Sequence, residues 1–348
     1  MIMTAETLIP SKLRGFEPYE PVSGVFRIRL DANESPYNIN ADIKERLKAY
    51  LDSIEFNRYP DPSAAGLCGA FSAAYGVDTK HVVAGNGSDE LISLLAVAFL
   101  EKGDGIAVLR PDFSMYSFYA SLSEAKINVF DRPASGGLDA LAESVARSGS
   151  RLVIFSNPCN PTGAGYDRES VLRFASSLPA ICVIDEAYMD FWDRSILRDA
   201  PQTENIIVLR TLSKALGSAC LRLGFAVANE RFVSLIKSVK SPYNVNGISQ
   251  EFGRIILQSG KNRGRELGEK AKALGARLAE LLPSAEVFDT CTNFVYIKTP
   301  AAAGIFRRLA DEGIAVRCFD GALRITAGTD AENAALLEAL GRLPAELK

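Results

Sequence analysis

The chain has 348 residues, of which 47% are hydrophobic and 23% are charged, so it can bury a large core. Its 39 basic and 42 acidic residues nearly cancel and are interspersed, which argues against a nucleic-acid-binding stripe and against a disordered acidic tail. The longest apolar run, residues 91–100, is too short to span a bilayer, and the first residues lack the pattern of a signal peptide.

The cysteine and histidine residues argue against a metal site. The six cysteines form no CxxC pair and have no metal-ligand spacing. His81 is the single histidine and lies in ordinary connecting sequence, so no Ser–His or Cys–His catalytic pair is expected. Reduced thiols are typical of the cytoplasm, and we therefore predict a cytoplasmic protein without a bound metal.

Strands and helices alternate through the first two thirds of the chain. Residues 1–39 are irregular apart from a strand at 25–30. The predicted helices then cover 41–51, 64–75, 116–122, 138–147 and 168–176. A further helix is predicted to begin in the turn at 85–90 and to end near residue 100. The predicted strands cover 81–84, 105–109, 127–130, 151–155, 181–184, 206–209 and 223–227. Strands separated by helix-length segments indicate βαβ units, so the predicted fold class is α/β, with a mainly parallel sheet flanked by helices.

The pattern changes after Pro242. Longer helices and a few strands follow, namely helices at 249–257, 263–282 and 303–311 and strands at 293–298 and 323–326. We predict that this tail is a smaller α+β domain. The predicted domains are a large one at 40–240 and a small C-terminal one at 241–348, joined by the N-terminal segment 1–39.

The stretch 206–224, IIVLRTLSKALGSACLRLG, carries the most distinctive chemistry. A buried strand delivers Lys214 into a turn, with Ser213 before it and Arg222 eight residues after it. Desolvation lowers the pKa of an amine, and a neutral amine can attack a carbonyl to form a Schiff base. A hydroxyl and a guanidinium suit a phosphate. The combination predicts pyridoxal phosphate (PLP) as the cofactor; the plain alternative is a surface lysine with Arg222 in an ion pair nearby.

Two earlier strand ends carry weaker signals for the same site, because ligands of open α/β sheets bind at the carboxyl ends of strands. Ser88 and Asp89 begin a helix after a glycine, and such a helix start binds anions through its backbone amides. A plain capped helix is the alternative there. Phe113 follows the next strand and could stack on an aromatic ring, although packing in the core is the commoner fate of a phenylalanine.

Two later strand ends carry stronger signals. Two Asn-Pro steps, at 157–158 and 160–161, make the loop after the strand rigid. From this loop Asn160 can donate to a phenolate oxygen. Asp185 ends an apolar strand, where a carboxylate needs a positive partner such as a protonated pyridine nitrogen. Tyr188 follows three residues later, within reach of the same phenolate; the alternative is a helix-capping aspartate with a packed tyrosine.

These motifs together resemble those of the fold-type I PLP-dependent aminotransferases. In chain order they are NGSDE, PDFSMY, NPCNPTG, DEAY and TLSKALGSACLRLG, and the match spans nearly the whole chain. Within that family the sequence is most similar to the histidinol-phosphate aminotransferases, through LDANESPYN, RYP, SPYNVN and LRITAGT. Two positions depart from the family pattern: Cys220 stands where glycine is usual, and Arg317 is closer to Arg324 than in many members.

The resemblance implies a role for each of these residues. Lys214 would form the Schiff base and carry a proton, and Asp185 and Tyr188 would complete the catalytic set. The cofactor would be held by Ser88, Asp89, Phe113, Asn160, Asp185, Tyr188, Ser213, Lys214, Arg222 and Tyr59, the last from the partner subunit of a homodimer with shared active sites. The substrates would be bound by Arg324, Arg317, Tyr19 and Asn33.

The resemblance also implies the reaction. It is transamination between histidinol phosphate and 2-oxoglutarate, giving imidazole acetol phosphate and glutamate, a step of histidine biosynthesis. Three alternatives remain open from the sequence. They are an aminotransferase of the same fold that acts on aromatic or other amino acids, a decarboxylase of a phosphorylated amino acid, and a protein of this fold that binds a ligand without turnover.

Overall fold

The computed structural model of the chain describes residues 8–13, 16, 22–133, 137–260 and 262–348. In these ranges the chain forms two β-sheets with helices packed against them. The strands are β1 Ile28–Leu30, β2 Val82–Gly85, β3 Gly105–Arg110, β4 Lys126–Asp131, β5 Ser150–Ser156, β6 Ile181–Asp185, β7 Ile206–Thr211, β8 Gly224–Val227, β9 Glu286–Val287, β10 Phe294–Lys298, β11 Ile314–Phe319 and β12 Ala322–Thr326.

The helices follow the predicted alternation. They are α1 Ala41–Leu51, α2 Ala65–Tyr75, α3 Ser88–Phe99, α4 Met115–Leu122, α5 Asp139–Arg147, α6 Arg168–Ser176, α7 Glu230–Val239, α8 Gly247–Gln258, α9 Gly264–Leu281, α10 Ala302–Asp311 and α11 Asp330–Gly341. Side-chain caps fix several of their starts: Asp167 accepts from the Ser170 amide at α6, and Asn229 from the Phe232 amide at α7.

The larger sheet has seven strands in the order β2-β8-β7-β6-β5-β3-β4. All neighbouring strands are parallel except β8, which is antiparallel to both β2 and β7. The central strands β6 and β7 are buried nearly throughout, as expected for β-branched runs covered on both faces. The predicted α/β class with a mainly parallel sheet flanked by helices is therefore confirmed.

Two apolar layers cover the faces of this sheet. One contains Phe71, Phe155 and Phe174, and the other contains Leu91 and Leu95 of α3. Each fully buried side chain of this size stabilises the fold by about 1.5–3 kcal/mol through the removal of apolar surface from water. The rigid sheet that results fixes the strand ends that carry the candidate site.

The smaller sheet has five strands in the order β1-β11-β12-β10-β9. β1 pairs in parallel with β11, so that Ile28 lies beside Ile314, and the other neighbours are antiparallel. Its own apolar core joins the β1 residues to α9, α10 and α11. Residues 28–30, although early in the chain, are thus tied to the C-terminal part.

The structure adds four elements to the predicted ones and shortens one predicted strand. Elements β9, β11, α7 and α11 were not predicted, and β1 is three residues shorter than the predicted strand. Helix α8 packs against α1 and α2 beside the larger sheet, and its Leu257 lies in one of that sheet's cores. The division of the chain at residue 241 stays a prediction.

Candidate active site

Lys214 lies in the turn that follows β7, two residues beyond the buried Leu212. Its amine donates a hydrogen bond to the Ala32 carbonyl oxygen at 3.1 Å, and its Nζ atom is 5.8 Å from the centre of the Tyr188 ring. The side chain is half-buried. The turn after β7 therefore presents the amine to a cleft that is bordered by the segment after β1 and by the Tyr188 phenol.

Asp185 is the last residue of β6 and is only 4% exposed. Its Oδ1 atom accepts a hydrogen bond from the Ala187 amide at 3.0 Å, and its Oδ2 atom accepts one from the Tyr116 hydroxyl at 2.8 Å. Burial raises the pKa of Asp185 to about 6. The carboxylate has no cationic partner among the residues that the structure describes, so a ligand with a protonated nitrogen would supply the missing charge.

Tyr188 and Asn33 form a pair across the two sheets. The Tyr188 oxygen accepts a hydrogen bond from the Asn33 Nδ2 group at 2.8 Å, which leaves its own hydroxyl proton for another acceptor. Asn33 is buried in the left-handed region at φ 55°, and Thr326 and Asn293 hold it through further hydrogen bonds. Phe294 packs edge-on against the Tyr188 ring at 5.2 Å. The phenol is therefore fixed in position.

Arg324 of β12 joins the loop after β5 to the segment after β1. It donates to the Asn160 side-chain oxygen and, at 2.8 Å, to the Asp31 carbonyl oxygen. The Asn160 side-chain nitrogen makes no hydrogen bond within the described ranges and can therefore donate to a ligand. Arg317 of β11 is paired with Arg324 in the antiparallel register, so both guanidinium groups leave the same face of the smaller sheet. Two cations side by side on one face suit anionic groups.

The start of α3 and the start of β8 form a narrow cradle. Gly87, at φ 86°, precedes Ser88 and leaves the first amides of the helix exposed to a ligand. A Cβ atom on Gly224 would lie 2.4 Å from the Ser88 nitrogen, so the two backbones touch. Arg222 reaches the same place and donates to Asp89 at 3.1 Å. Backbone amides and a guanidinium converge here, as an anion site requires.

Ser213 lies beside this cradle at the end of β7. Its amide donates a hydrogen bond to the Thr211 hydroxyl oxygen at 3.1 Å, and the two hydroxyl oxygens are 3.0 Å apart. The Thr211 hydroxyl is also 3.0 Å from the Leu223 carbonyl oxygen, so its one proton serves either Ser213 or Leu223. The Ser213 hydroxyl can donate to an anion when Thr211 donates to it. Sequence reasoning gave Thr211 no role in the site, although the threonine stands two residues before the serine.

Phe113 and Tyr116 stand at the start of α4, with ring centres 5.6 Å apart and planes at 84°. Phe113 is half-buried, and its stacking on a ring stays a prediction. Tyr116 is buried against Asp185 and was not singled out from the sequence. Only the packing of α4 on the larger sheet reveals the hydroxyl's partner.

A buried ionic network supports the loop that carries Asn160. Asp112 is paired with Arg132 and accepts hydrogen bonds from the Ser156 amide and hydroxyl. The Ser156 oxygen in turn accepts from the Asn160 amide at 3.0 Å. Burial raises the pKa of Asp112, and the adjacent guanidinium opposes this effect. This network also escaped the sequence analysis.

One predicted site residue lies apart from this cluster. Tyr59 is 82% exposed and stacks on Tyr243, with ring centres 4.6 Å apart and planes at 17°. It lies on the surface rather than among the buried groups. Tyr19 lies outside the described residues.

Two kinds of feature are absent from the described residues. They contain no group of three or more His, Cys, Asp and Glu side chains that could hold a metal ion. None of the helices in the described ranges is both long enough and apolar enough to cross a membrane.

Comparison with known proteins gives consistent results. The profile of the family described as "Aminotransferase class I and II" matches residues 27–340. The histidinol-phosphate aminotransferase of Clostridium novyi is 38% identical over 337 residues, which cover 94% of this chain and 95% of that protein. The enzyme of the same name from a Thermoanaerobacter species is 36% identical over 348 residues, which cover 97% of this chain and 99% of that protein.

A solved structure agrees at the level of the fold. The crystal structure of histidinol-phosphate aminotransferase from Sinorhizobium meliloti in complex with pyridoxal-5'-phosphate superposes with a TM-score of 0.83. It is 23% identical, and the alignment covers 91% of this chain and 90% of that one. The family profile matches nine tenths of the sequence, and relatives above 30% identity match it at nearly full length. Together these matches establish the family of the protein. The chain belongs to the aminotransferase class I and II family.

Proposed function

We propose that this protein is a PLP-dependent aminotransferase that converts histidinol phosphate and 2-oxoglutarate to imidazole acetol phosphate and glutamate. The observation that carries the proposal is the full-length similarity, at 34–38% identity, to several bacterial proteins named histidinol-phosphate aminotransferase. The pair Arg317 and Arg324 supports it, because one substrate carries a phosphate and the other two carboxylates.

The residues present fit PLP. Asp185 is a buried carboxylate that lacks a cationic partner in the described part of the chain, and a protonated pyridine nitrogen would provide one. The cradle of Ser88, Asp89 and Arg222 would take the phosphate, with Ser213 as a further donor. When bound, PLP supplies an aldehyde for the substrate's amine and a ring that accepts electrons from the substrate's Cα–H bond.

Three other residues would hold the ring. Tyr188 and Asn160 each retain a hydrogen-bond donor for the phenolate oxygen, and Arg324 and Asn33 fix their positions. Phe113 would lie against the ring face. Together these side chains would fix the orientation of the ring relative to the Lys214 amine.

Lys214 is the residue that we assign to covalent and proton-transfer chemistry. Its amine would attach to the cofactor's aldehyde carbon in the resting enzyme and, once released by the amino donor, carry a proton to and from the substrate's Cα. The 3.1 Å hydrogen bond to the Ala32 carbonyl directs the amine into the cleft. Asp185 and Tyr188 complete the catalytic set by holding the ring's nitrogen and oxygen.

The two arginines would divide the substrate's anionic groups. Arg324 would bind the carboxylate of glutamate or 2-oxoglutarate, and Arg317, beside it on the neighbouring strand, the phosphate of the amino donor. Asn33 lies between Tyr188 and the smaller sheet, where it would contact the substrate. Tyr19 is proposed as a further substrate contact from the N-terminal segment.

We propose that the protein acts as a homodimer with shared active sites. Tyr59 is exposed in the single chain and stacks only on the partly exposed Tyr243, so a second subunit could receive it beside the cofactor. The exposed Phe56 and Leu51 lie near it in the sequence and add apolar area that association would bury.

The domain division is proposed as predicted, with 40–240 as the large domain, 241–348 as the small domain and segment 1–39 joining them. The pairing of β1 with β11 supports a link through the N-terminal segment. A cytoplasmic location is also proposed, because all six cysteines are free thiols.

The test is a comparison of substrates. Purified protein loaded with PLP is assayed for glutamate formation from 2-oxoglutarate with histidinol phosphate, phenylalanine or tyrosine as donor. We expect the largest kcat/KM for histidinol phosphate. A larger value for an aromatic amino acid would favour the aromatic alternative, release of carbon dioxide from a phosphorylated amino acid would favour the decarboxylase, and no transfer from any donor would refute the proposal.

A further inference from the structure

The carboxylate of Asp185 is held by two donors with different origins. The Ala187 amide, from the same loop, bonds Oδ1, and the Tyr116 hydroxyl, from α4, bonds Oδ2. Tyr116 is 1% exposed, and its ring is locked among the side chains of the second sheet core. The hydroxyl has no access to water, so its hydrogen bond to Asp185 is not replaced by solvent when the two groups separate.

The charged surroundings do not otherwise favour an ionised Asp185. Two further carboxylates act on it, Asp112 before α4 and Asp89 on α3, and both disfavour its negative charge. Arg132 neutralises Asp112 and Arg222 neutralises Asp89 through direct ion pairs, so neither cation is paired with Asp185. The ionised form of Asp185 is thus stabilised locally by its two hydrogen bonds, from the Ala187 amide and the Tyr116 hydroxyl.

We propose that Tyr116 is a positioning residue that decides where the shared proton lies between Asp185 and the ring nitrogen of the bound cofactor. The inference rests on the proposed function. A proton shared by a buried carboxylate and a pyridine nitrogen can be bound to either group. On the nitrogen it gives an ion pair, and on the carboxylate it gives a neutral acid beside a neutral ring. A donor to the carboxylate stabilises the ion pair more than the neutral pair, because a neutral acid is a weaker acceptor.

The balance is close enough for one hydrogen bond to matter. Burial raises the pKa of Asp185 to about 6, so the carboxyl competes for the proton far better than an exposed aspartate does. Loss of a hydrogen bond to a charged group shifts such an equilibrium on the order of tenfold. Tyr116 therefore keeps the ring protonated, which is the state that withdraws electrons from the substrate.

The test compares Tyr116→Phe with the wild type and with a matched control. In the control, Tyr75→Phe, the lost hydroxyl donates at 2.9 Å to another aspartate, the half-buried Asp190, which is ion-paired with Arg210 and is not one of the residues assigned to the cofactor. Each protein is loaded with PLP that carries nitrogen-15 in its ring, and the nitrogen resonance is recorded at one pH. Thermal unfolding of each protein checks that the variants are folded.

We expect the Tyr116→Phe resonance to move toward that of unprotonated ring nitrogen, and the Tyr75→Phe resonance to stay at the wild-type position. The kcat of Tyr116→Phe should fall several-fold with little change in KM. A resonance of folded Tyr116→Phe that coincides with the wild type, or an equal displacement in the Tyr75→Phe control, would overturn the proposal. Failure of the proposed function is recognised separately, because the wild type would then show either no bound-cofactor resonance or no turnover of histidinol phosphate.

Discussion

The contact between Gly224 and the start of α3 gives a sharp test of the anion cradle. A methyl group at position 224 would lie 2.4 Å from both the Ser88 nitrogen and the Gly87 carbonyl carbon. Both atoms belong to backbone, so no side chain can rotate away. Because close-packed atoms require about 3.4 Å or more, Gly224→Ala must displace the start of the helix from β8 by about 1 Å.

Two consequences follow from that displacement. Overpacking of this kind lowers the free energy of unfolding by about 1–3 kcal/mol. The exposed amides of Ser88 and Asp89 also move relative to Ser213 and Arg222, so their hydrogen bonds to a phosphate cannot all form together. The loss of one charge-assisted hydrogen bond weakens PLP binding about tenfold or more.

The assay is a titration of cofactor-free protein with PLP, followed by absorbance, together with urea unfolding. Gly69→Ala on α2 is the matched control, because a Cβ atom there meets nothing within 4 Å. That variant should keep the wild-type dissociation constant and gain up to about 1 kcal/mol in stability. Wild-type affinity for PLP in Gly224→Ala would refute the assignment of this cradle to the cofactor's phosphate.

Three further predictions test other parts of the site. Cofactor-free Asp185→Asn should be more stable to unfolding than the wild type at pH 8 by about 3 kcal/mol. Burial raises the pKa of Asp185 from 3.8 to about 6, so at pH 8 the folded wild type carries a buried charge that becomes hydrated on unfolding. In urea unfolding this gain should shrink as the pH falls through 6 and vanish near pH 4; a gain independent of pH would contradict it. Arg317→Ala should raise the KM for histidinol phosphate about 10- to 100-fold and leave the half-reaction with glutamate nearly unchanged, and equal losses in both half-reactions would remove the assignment of Arg317 to the phosphate. Inactive Lys214→Ala subunits mixed with impaired Tyr59→Ala subunits should regain activity through the one intact site of each mixed dimer, whereas activity no greater than that of the separate variants would count against shared active sites.

The fold was largely predictable because its strongest determinants are local. The buried β-branched runs of β6 and β7 and the glycine and proline residues between elements produce clear signals in the sequence. Helix α11 was missed although Thr329 and Glu332 form a capping box at its start, a signal that was visible. β11 follows α10 almost directly through Gly313, and its pairing with β1 across most of the chain length could not be seen locally.

The site residues also differ in how far they could be predicted from local sequence. Lys214 and Asp185 were predicted because each follows a buried strand, where a charged residue is unexpected without a ligand. Tyr116 and the pair of Asp112 and Arg132 were missed because their importance lies in partners far along the chain. Hydrogen bonds between distant residues carry no periodic signal, so only the folded sheet reveals them.

The central claim is that the Lys214 amine holds the cofactor covalently. The direct measurement is reduction of the PLP-loaded protein with borohydride, followed by digestion and mass spectrometry of the lysine-containing peptides. We expect the pyridoxyl mass on the peptide that contains Lys214 in the wild type, and on no peptide of Lys214→Ala. A label on a different lysine, or no label on the wild type, would contradict the account.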